Sequence, residues 1–182
     1  VAAFLSWGHI PEPLTINTHI RCLPAGTSMT VSAGGDVSEP KSYLSQSIFD
    51  AAQRSSPKPI AHHLRESIEA HLVADTPVGV FLSAGADSTL LAWQMRESGQ
   101  SPIAVTAHFA EFDDTDRDET KLAAATAEKL GLKHHIETIT QQSFVKNIDA
   151  IFAAMDQPTI DGVNSWLVSR TAQQAGLKTI LS

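Results

Sequence analysis

Cysteine is nearly absent from the 182 residues: Cys22 stands alone, so no disulfide can close within the chain. That fits a reducing compartment, and a cytoplasmic location is expected. Apolar runs are short, none reaching the roughly 20 residues a membrane-spanning helix needs. No basic, apolar leader opens the chain, so no membrane partner is expected. Positive charge is also scarce, with 13 Lys+Arg against 20 Asp+Glu and a net charge of −7. A general nucleic-acid surface is therefore not expected. Two phosphate-binding signatures are missing as well. Without G-x-x-x-x-G-K-[ST] or G-x-G-x-x-G, Walker and dinucleotide loops are excluded.

What is present divides into two halves. Residues 1–45 are rich in Pro, Gly, Ser and Thr, and carry short β-like pieces, "HIRCL" and "TSMTV", between the turn signals "PEP", "PAG" and "SAGGD". A weak helical pattern, "SYLSQSIFDAA", leads into a linker over 46–59 that ends in "RSSPKP". From Ile60 the pattern changes. Ile60, Leu64, Ile68 and Leu72 recur at helical spacing. Next come a strand over 78–82, a helix over 88–98, a strand over 103–107 and a helix over 118–130. A strand "HHIETI", helices "SFVKNIDAIFAAM" and "GVNSWLVSRTAQQA", and a strand "LKTIL" complete the series. Gly99, Gly131 and Gly176 each follow a helix, where a left-handed residue is wanted. Strands that are continuous apolar runs, alternating with helices, predict an α/β fold with a parallel, doubly wound sheet covered on both faces. A small β-rich segment precedes it.

The turn "LSAGADST", residues 82–89, joins the first of these strands to its helix. Ligands of open α/β sheets bind beyond the carboxyl ends of strands, where the next helix presents free N–H groups. Ala84, Gly85 and Ala86 have little bulk, so an anion can approach the backbone, and Ser83 and Ser88 add hydroxyls. Asp87 repels a phosphate unless Mg²⁺ lies between them. The plainer reading is a tight turn with Asp87 or Ser88 as helix N-cap.

"SAGADS" resembles the S-G-G-x-D-S pyrophosphate loop of the ATP pyrophosphatases, and "DTPVGVFLSAGADS" resembles the loop of glutamine-hydrolysing asparagine synthetases. The likeness continues through "AVTAHFAEFDDTDRDETKLAAATAEKLGLKHH" and "MDQPTIDGVNSWLVSRTAQQAGLKTILS". "FLSWGHIPEPLTINTHIRCLPAGTSMTV" is similar to the last strands of that family's glutaminase domain. The resemblance implies an adenine nucleotide alpha hydrolase-like sheet over residues 60–182 and a glutaminase remnant over 1–45. It implies the middle of a longer enzyme, with the sheet incomplete, because the family's G-x-G-x-D-E loop would follow Ser182. The implied activity is ATP-dependent amidation. Aspartate's carboxylate attacks the α-phosphorus of ATP, pyrophosphate leaves, and glutamine-derived ammonia displaces AMP. By the same resemblance Ser83, Gly85, Ser88 and Thr89 cradle pyrophosphate and Asp87 holds Mg²⁺. Leu82, Thr106 and Ala107 meet adenosine largely through backbone, and Ser182 lies beside the nucleotide. A related amidating or cyclising enzyme and a non-catalytic α/β module are the alternatives. A homo-oligomer is compatible with either.

Three positions depart from the family pattern. Ala84 replaces a glycine and is expected to crowd the phosphate, with strain if its φ is positive. His108 replaces a small residue and is expected at the adenine edge. Gln157 replaces the acid of "D-E-P". The run "EFDDTDRDE" lacks the glycine and twelfth-position acid of a calcium loop. It reads as a solvated loop with Asp118 near a helix N-terminus. The pairs His62–His63 and His134–His135 have no further ligand at zinc spacing. Cys22, Trp93 and Trp166 are expected to be packed inside.

Overall fold

The computed structural model describes residues 1–44 and 58–182. The stretch "SYLSQSIFDAA" and the linker 46–59 lie, except at their edges, outside the described residues. The chain forms two compact units, Val1–Lys58 with Met155–Gly162, and Pro59–Ala154 with Val163–Ser182.

Among the described residues, the first unit holds little regular structure. Helix α1, Ala2–Trp7, ends at Gly8 in the left-handed conformation, φ 72°, where a glycine avoids the Cβ clash. Strands β1 (Thr27–Ser28) and β2 (Lys41–Ser42) pair antiparallel. Isolated bridges join Val31 to Val37 and His9 to Thr159. "HIRCL" is not a strand, and "TSMTV" contributes only its first two residues to one. Cys22 is half-buried rather than enclosed.

The second unit is the sheet. Helix α2 spans Ile60–His71, strand β3 Val78–Phe81, helix α3 Ala86–Glu97, strand β4 Ile103–Phe109 and helix α4 Thr120–Leu130. Strand β5 (Lys133–Ile139), helix α5 (Gln141–Ala153), helix α6 (Gly162–Gln174) and strand β6 (Thr179–Leu181) follow. The strand order is β5-β4-β3-β6, and every pairing is parallel. Successive strand residues serve opposite faces, as a period of two requires. Ala104 joins a core with Val80, Leu82, Ile68, Met95 and Ala123, from α2, α3 and α4. Its neighbour Val105 packs on the other face with Ala172, Leu177 and Phe81. Both faces are therefore covered, as the apolar runs implied.

Element ends differ from expectation in informative ways. Helix α3 begins at Ala86, two residues early, because Gly85 takes an extended N-cap conformation, φ −71°, ψ 150°. Strand β4 runs on to Phe109, carried by a continuous register from Ile103↔Lys133 to Phe109↔Ile139. Trp93 is 42% exposed, since Ala92 and Met95 take the buried face of α3. Trp166 is half-buried, with the Arg170 guanidinium 5.4 Å from its ring centre.

Gly79 on the central strand β3 has no room for a side chain. A Cβ there would lie 2.3 Å from Leu177 Cδ1 and 3.0 Å from the Ile103 carbonyl oxygen. We expect Gly79→Ala to destabilise the chain by about 1–3 kcal/mol through overpacking, measured by urea unfolding. An unchanged midpoint and slope would contradict this packing.

Candidate functional site

The β3–α3 turn opens on a cavity of about 520 Å³ at the carboxyl ends of the strands. Leu82, Ser83, Gly85, Asp87 and Ser88 line it from the turn, Thr106 and Ala107 from β4, and Ser182 from beyond β6. Thr89 does not line it; its N–H donates to the Gly85 carbonyl within α3, at 3.2 Å. The parallel order of β4, β3 and β6 brings these ends together, although nearly 100 residues separate Ser83 from Ser182.

The turn is held by its own hydroxyls. Ser83 Oγ and Ser88 Oγ lie 2.9 Å apart, the Ser83 N–H donates to Ser88 Oγ at 3.1 Å, and the Gly85 N–H donates to Ser83 Oγ at 3.0 Å. The Ala84 N–H donates to Glu119 Oε2, 35 residues away, at 3.2 Å. These three amides were expected to be free and are instead engaged. The physical reason is that these backbone donors lie within reach of acceptors the fold itself supplies, Ser83 Oγ, Ser88 Oγ and Glu119. Farther along, Gly85 offers no side-chain acceptor at the N-cap of α3. The first-turn N–H groups at Ala86, Asp87 and Ser88 thus receive no side-chain cap, and neither Asp87 nor Ser88 serves as N-cap. A Cβ on Gly85 would come within 3.1 Å of Ser83 Oγ, so a side chain there would press on that hydroxyl, while the Gly85 dihedrals themselves are ordinary. Ala84 is not strained, for Asp114 is the non-glycine at positive φ among the described residues.

Beside the cavity a chain of hydrogen bonds ties the end of β3 to β4 and β5. The Thr106 hydroxyl donates to the Leu82 carbonyl at 2.6 Å and contacts His134 Nε2 at 2.8 Å. One hydroxyl has one proton, so His134 Nε2 must be the donor in the second bond. Burial, with repulsion from His135, holds the His134 pKa below its usual 6.5. The Leu82 N–H is engaged too, by the Val105 carbonyl at 2.9 Å. The Leu82 side chain is buried in the core, and its backbone is tied to β4 on both sides.

The outer rim was not foreseen as part of the site. Phe109, Phe112, Arg117, Asp118, Glu119 and Asn164 also line the cavity. The acidic run read as a solvated loop supplies several of them, and only the fold brings it over the turn. Asp118 accepts the Thr120 N–H at 3.0 Å, and Thr120 holds its carboxyl below the usual carboxylate range. His108 is not among the lining residues; its Nε2 is 2.7 Å from Asp113 Oδ1 and its Nδ1 3.3 Å from Thr138 Oγ1. Gln157 lies in the first unit, where its Oε1 accepts the Ile16 N–H at 2.8 Å. Among the described residues, Asp87, Asp118 and Glu119 give the cavity three carboxylates against one guanidinium, Arg117, and no cysteine or methionine. Hard oxygen donors of this kind suit Mg²⁺ rather than a soft metal. His108 and Asp113, with the lining residue Asp118, bring ligand atoms within 4.8 Å of one another, but the His108–Asp113 bond already engages two of them.

Comparison with known proteins points the same way as the turn. The family model described as Asparagine synthase matches residues 59–182. The chain is 26% identical to Asparagine synthetase [glutamine-hydrolyzing] 1 of Bacillus subtilis (strain 168) over 161 residues, 87% of this chain and 25% of that protein. It is 24% identical to an amidase of Penicillium rubens over 137 residues, 68% of this chain and 20% of that protein. The chain thus spans about a quarter of the length of the curated relatives it matches. The solved structure of NMN synthetase from Francisella tularensis aligns with a TM-score of 0.43 and 19% identity, over 66% of this chain and 51% of that one.

A neutral His134 has a consequence for stability. Its folded pKa is depressed below 6.5, so below 6.5 the unfolded chain binds a proton that the native chain refuses. Stability therefore rises with pH across the window just below 6.5. His134→Gln should flatten that part of the profile, measured by chemical unfolding at pH 5 to 7, values chosen to bracket a histidine's ordinary range. An unchanged slope would contradict the lowered pKa of this half-buried imidazole.

Proposed function

Because the chain belongs to the asparagine synthase family, as the match over residues 59–182 establishes, we propose that it carries the nucleotide site of an ATP-dependent amidotransferase of asparagine synthetase type. The observation that carries this reading is the α3 N-terminus. It has no side-chain cap, and it opens with Ser83, Ser88 and Asp87 on one cavity at the carboxyl ends of β3, β4 and β6. Uncapped helix donors and small residues make an anion seat, and the adjoining carboxylates ask for a cation with it.

In this proposal the aspartate carboxylate oxygen attacks the α-phosphorus of ATP. The P–O bond to pyrophosphate breaks, leaving an acyl-adenylate that glutamine-derived ammonia converts to the amide with release of AMP. Negative charge grows on the departing diphosphate, and donors fixed before the reaction stabilise it without rearrangement. The first-turn amides of α3 and the hydroxyls of Ser83 and Ser88 supply those donors. The Ser83–Ser88 hydroxyl pair lets each side chain turn from its neighbour to a phosphate oxygen. Thr89 acts behind this shell, in the helix. Adenosine lies against Leu82, Thr106, Ala107 and Ser182, and Thr106 keeps the Leu82 carbonyl tied to β4. Mg²⁺, held by Asp87, would offset diphosphate charge. Residues 1–45 are assigned to the tail of a glutaminase domain that delivers ammonia, 46–59 to a linker and 60–182 to the ATP-binding domain.

Aspartate-dependent ATP–pyrophosphate exchange by the full-length protein tests the reading. Asp87→Asn should lower the exchange rate by about a hundredfold, the usual scale for loss of one transition-state charge contact. Full exchange in Asp87→Asn, or exchange indifferent to aspartate, would contradict it. The match to a protein named as an amidase favours one second reading, amide chemistry on a different carboxylate. Exchange supported by another carboxylic acid and not by aspartate would select it.

A further inference from the structure

Glu119 occupies a position that the proposed chemistry does not use. Its carboxylate reaches across from the residue before α4 to accept the Ala84 N–H at 3.2 Å. Ala84 lies in the centre of the turn, and Glu119 lines the same cavity as Ser83, Gly85 and Ser88. The other two engaged amides of the turn meet neutral hydroxyls. Ala84 alone among these three holds an anion.

A backbone amide that accepts a carboxylate will accept a phosphate oxygen, since both are ionised oxygen acceptors with similar hydrogen-bond lengths. The two cannot share one N–H without bringing like charges together. Asp87 and Asp118 face the same space, while Arg117 is the one cation on the lining among the described residues, and its guanidinium lies 5.8 Å from the Phe112 ring centre. A bare diphosphate entering the turn therefore meets Glu119 as a competitor and three carboxylates as repulsion. A diphosphate already neutralised by a divalent cation meets those carboxylates as oxygen donors.

From this we infer that Glu119 sets the selectivity of the turn, holding the Ala84 N–H against bare anions and yielding it to a diphosphate that arrives with a divalent cation. On displacement, Ala84 exchanges the Glu119 oxygen for a phosphate oxygen, and the freed carboxylate joins Asp87 and Asp118 on the wall of the cavity. No bond other than hydrogen bonds changes. This role rests on the diphosphate reading of the turn, and the test separates the two.

Calorimetric titration of the full chain with sodium pyrophosphate is carried out in chelator and again with excess Mg²⁺. The wild type should bind the magnesium-loaded anion and bind the bare anion far more weakly. Glu119→Gln keeps an acceptor for the Ala84 N–H but removes the charge. It should raise affinity for bare pyrophosphate about tenfold, the worth of one charged hydrogen-bond acceptor, while affinity for the loaded anion stays level or falls. Glu119→Ala should move both affinities in the same directions. Glu119 is exposed, and matching thermal unfolding of the variants establishes that they fold. Unchanged bare affinity in both variants, or equal gains for bare and loaded anion, would overturn the role of Glu119 and leave the diphosphate site standing. A wild type that binds neither form would overturn the diphosphate site itself, and the role of Glu119 with it.

Discussion

Every backbone N–H in the β3–α3 turn must find an acceptor, and the sequence there withholds the usual ones. Gly85 at the N-cap has no side chain to offer α3, whereas Thr140 and Ser143 cap α5 reciprocally. Helices normally answer their first-turn donors with a Ser, Thr, Asp or Asn at the cap, at a gain of about 1 kcal/mol. Helices α2 and α4 also begin without a side-chain cap; what sets the α3 start apart is that it opens on the cavity at the carboxyl edge of the parallel sheet. The rest of the unit serves to hold that turn in place.

The holding is done by the sheet. Val80 and Leu82 lie in the core, which leaves the chain no freedom until Ser83. Gly79 permits Leu177 and the Ile103 carbonyl to close on β3. The Leu82 backbone is fixed on both sides, by Val105 and by Thr106. Small residues on the helices, Ala92, Ala123 and Ala127, let α3 and α4 lie close to the strands. Close packing brings the α4 start, and with it Asp118 and Glu119, over the turn. Packing and site chemistry are thus linked, because a shift of α4 would carry the Glu119 carboxylate away from Ala84.

Much of this is written in short stretches of sequence. Buried parallel strands are continuous apolar runs, so β3 to β6 stand out, and "SAGADS" declares a turn too small and too polar for a core. Boundaries were less legible, since Gly85 can end a turn or cap a helix with equal ease. The rim was hidden for a different reason. Nothing local in "EFDDTDRDE" distinguishes a solvated loop from a cavity wall, and the Ala84–Glu119 contact spans 35 residues. His108 looked like an obstruction by its place in the strand, but Asp113 five residues on captures its ring. In the first half, alternating residues suggested strands, and the backbone instead closed on itself in α1 and in turns.

The central claim is that the uncapped start of α3 seats a diphosphate. Amide proton–nitrogen spectra of the chain, titrated with Mg²⁺ and ATP, report on those N–H groups directly. The account predicts that the resonances of Ala86, Asp87 and Ser88 move farthest, with Ala84 following as its acceptor changes. Saturable shifts centred on another part of the chain, with these four amides unmoved, would contradict it.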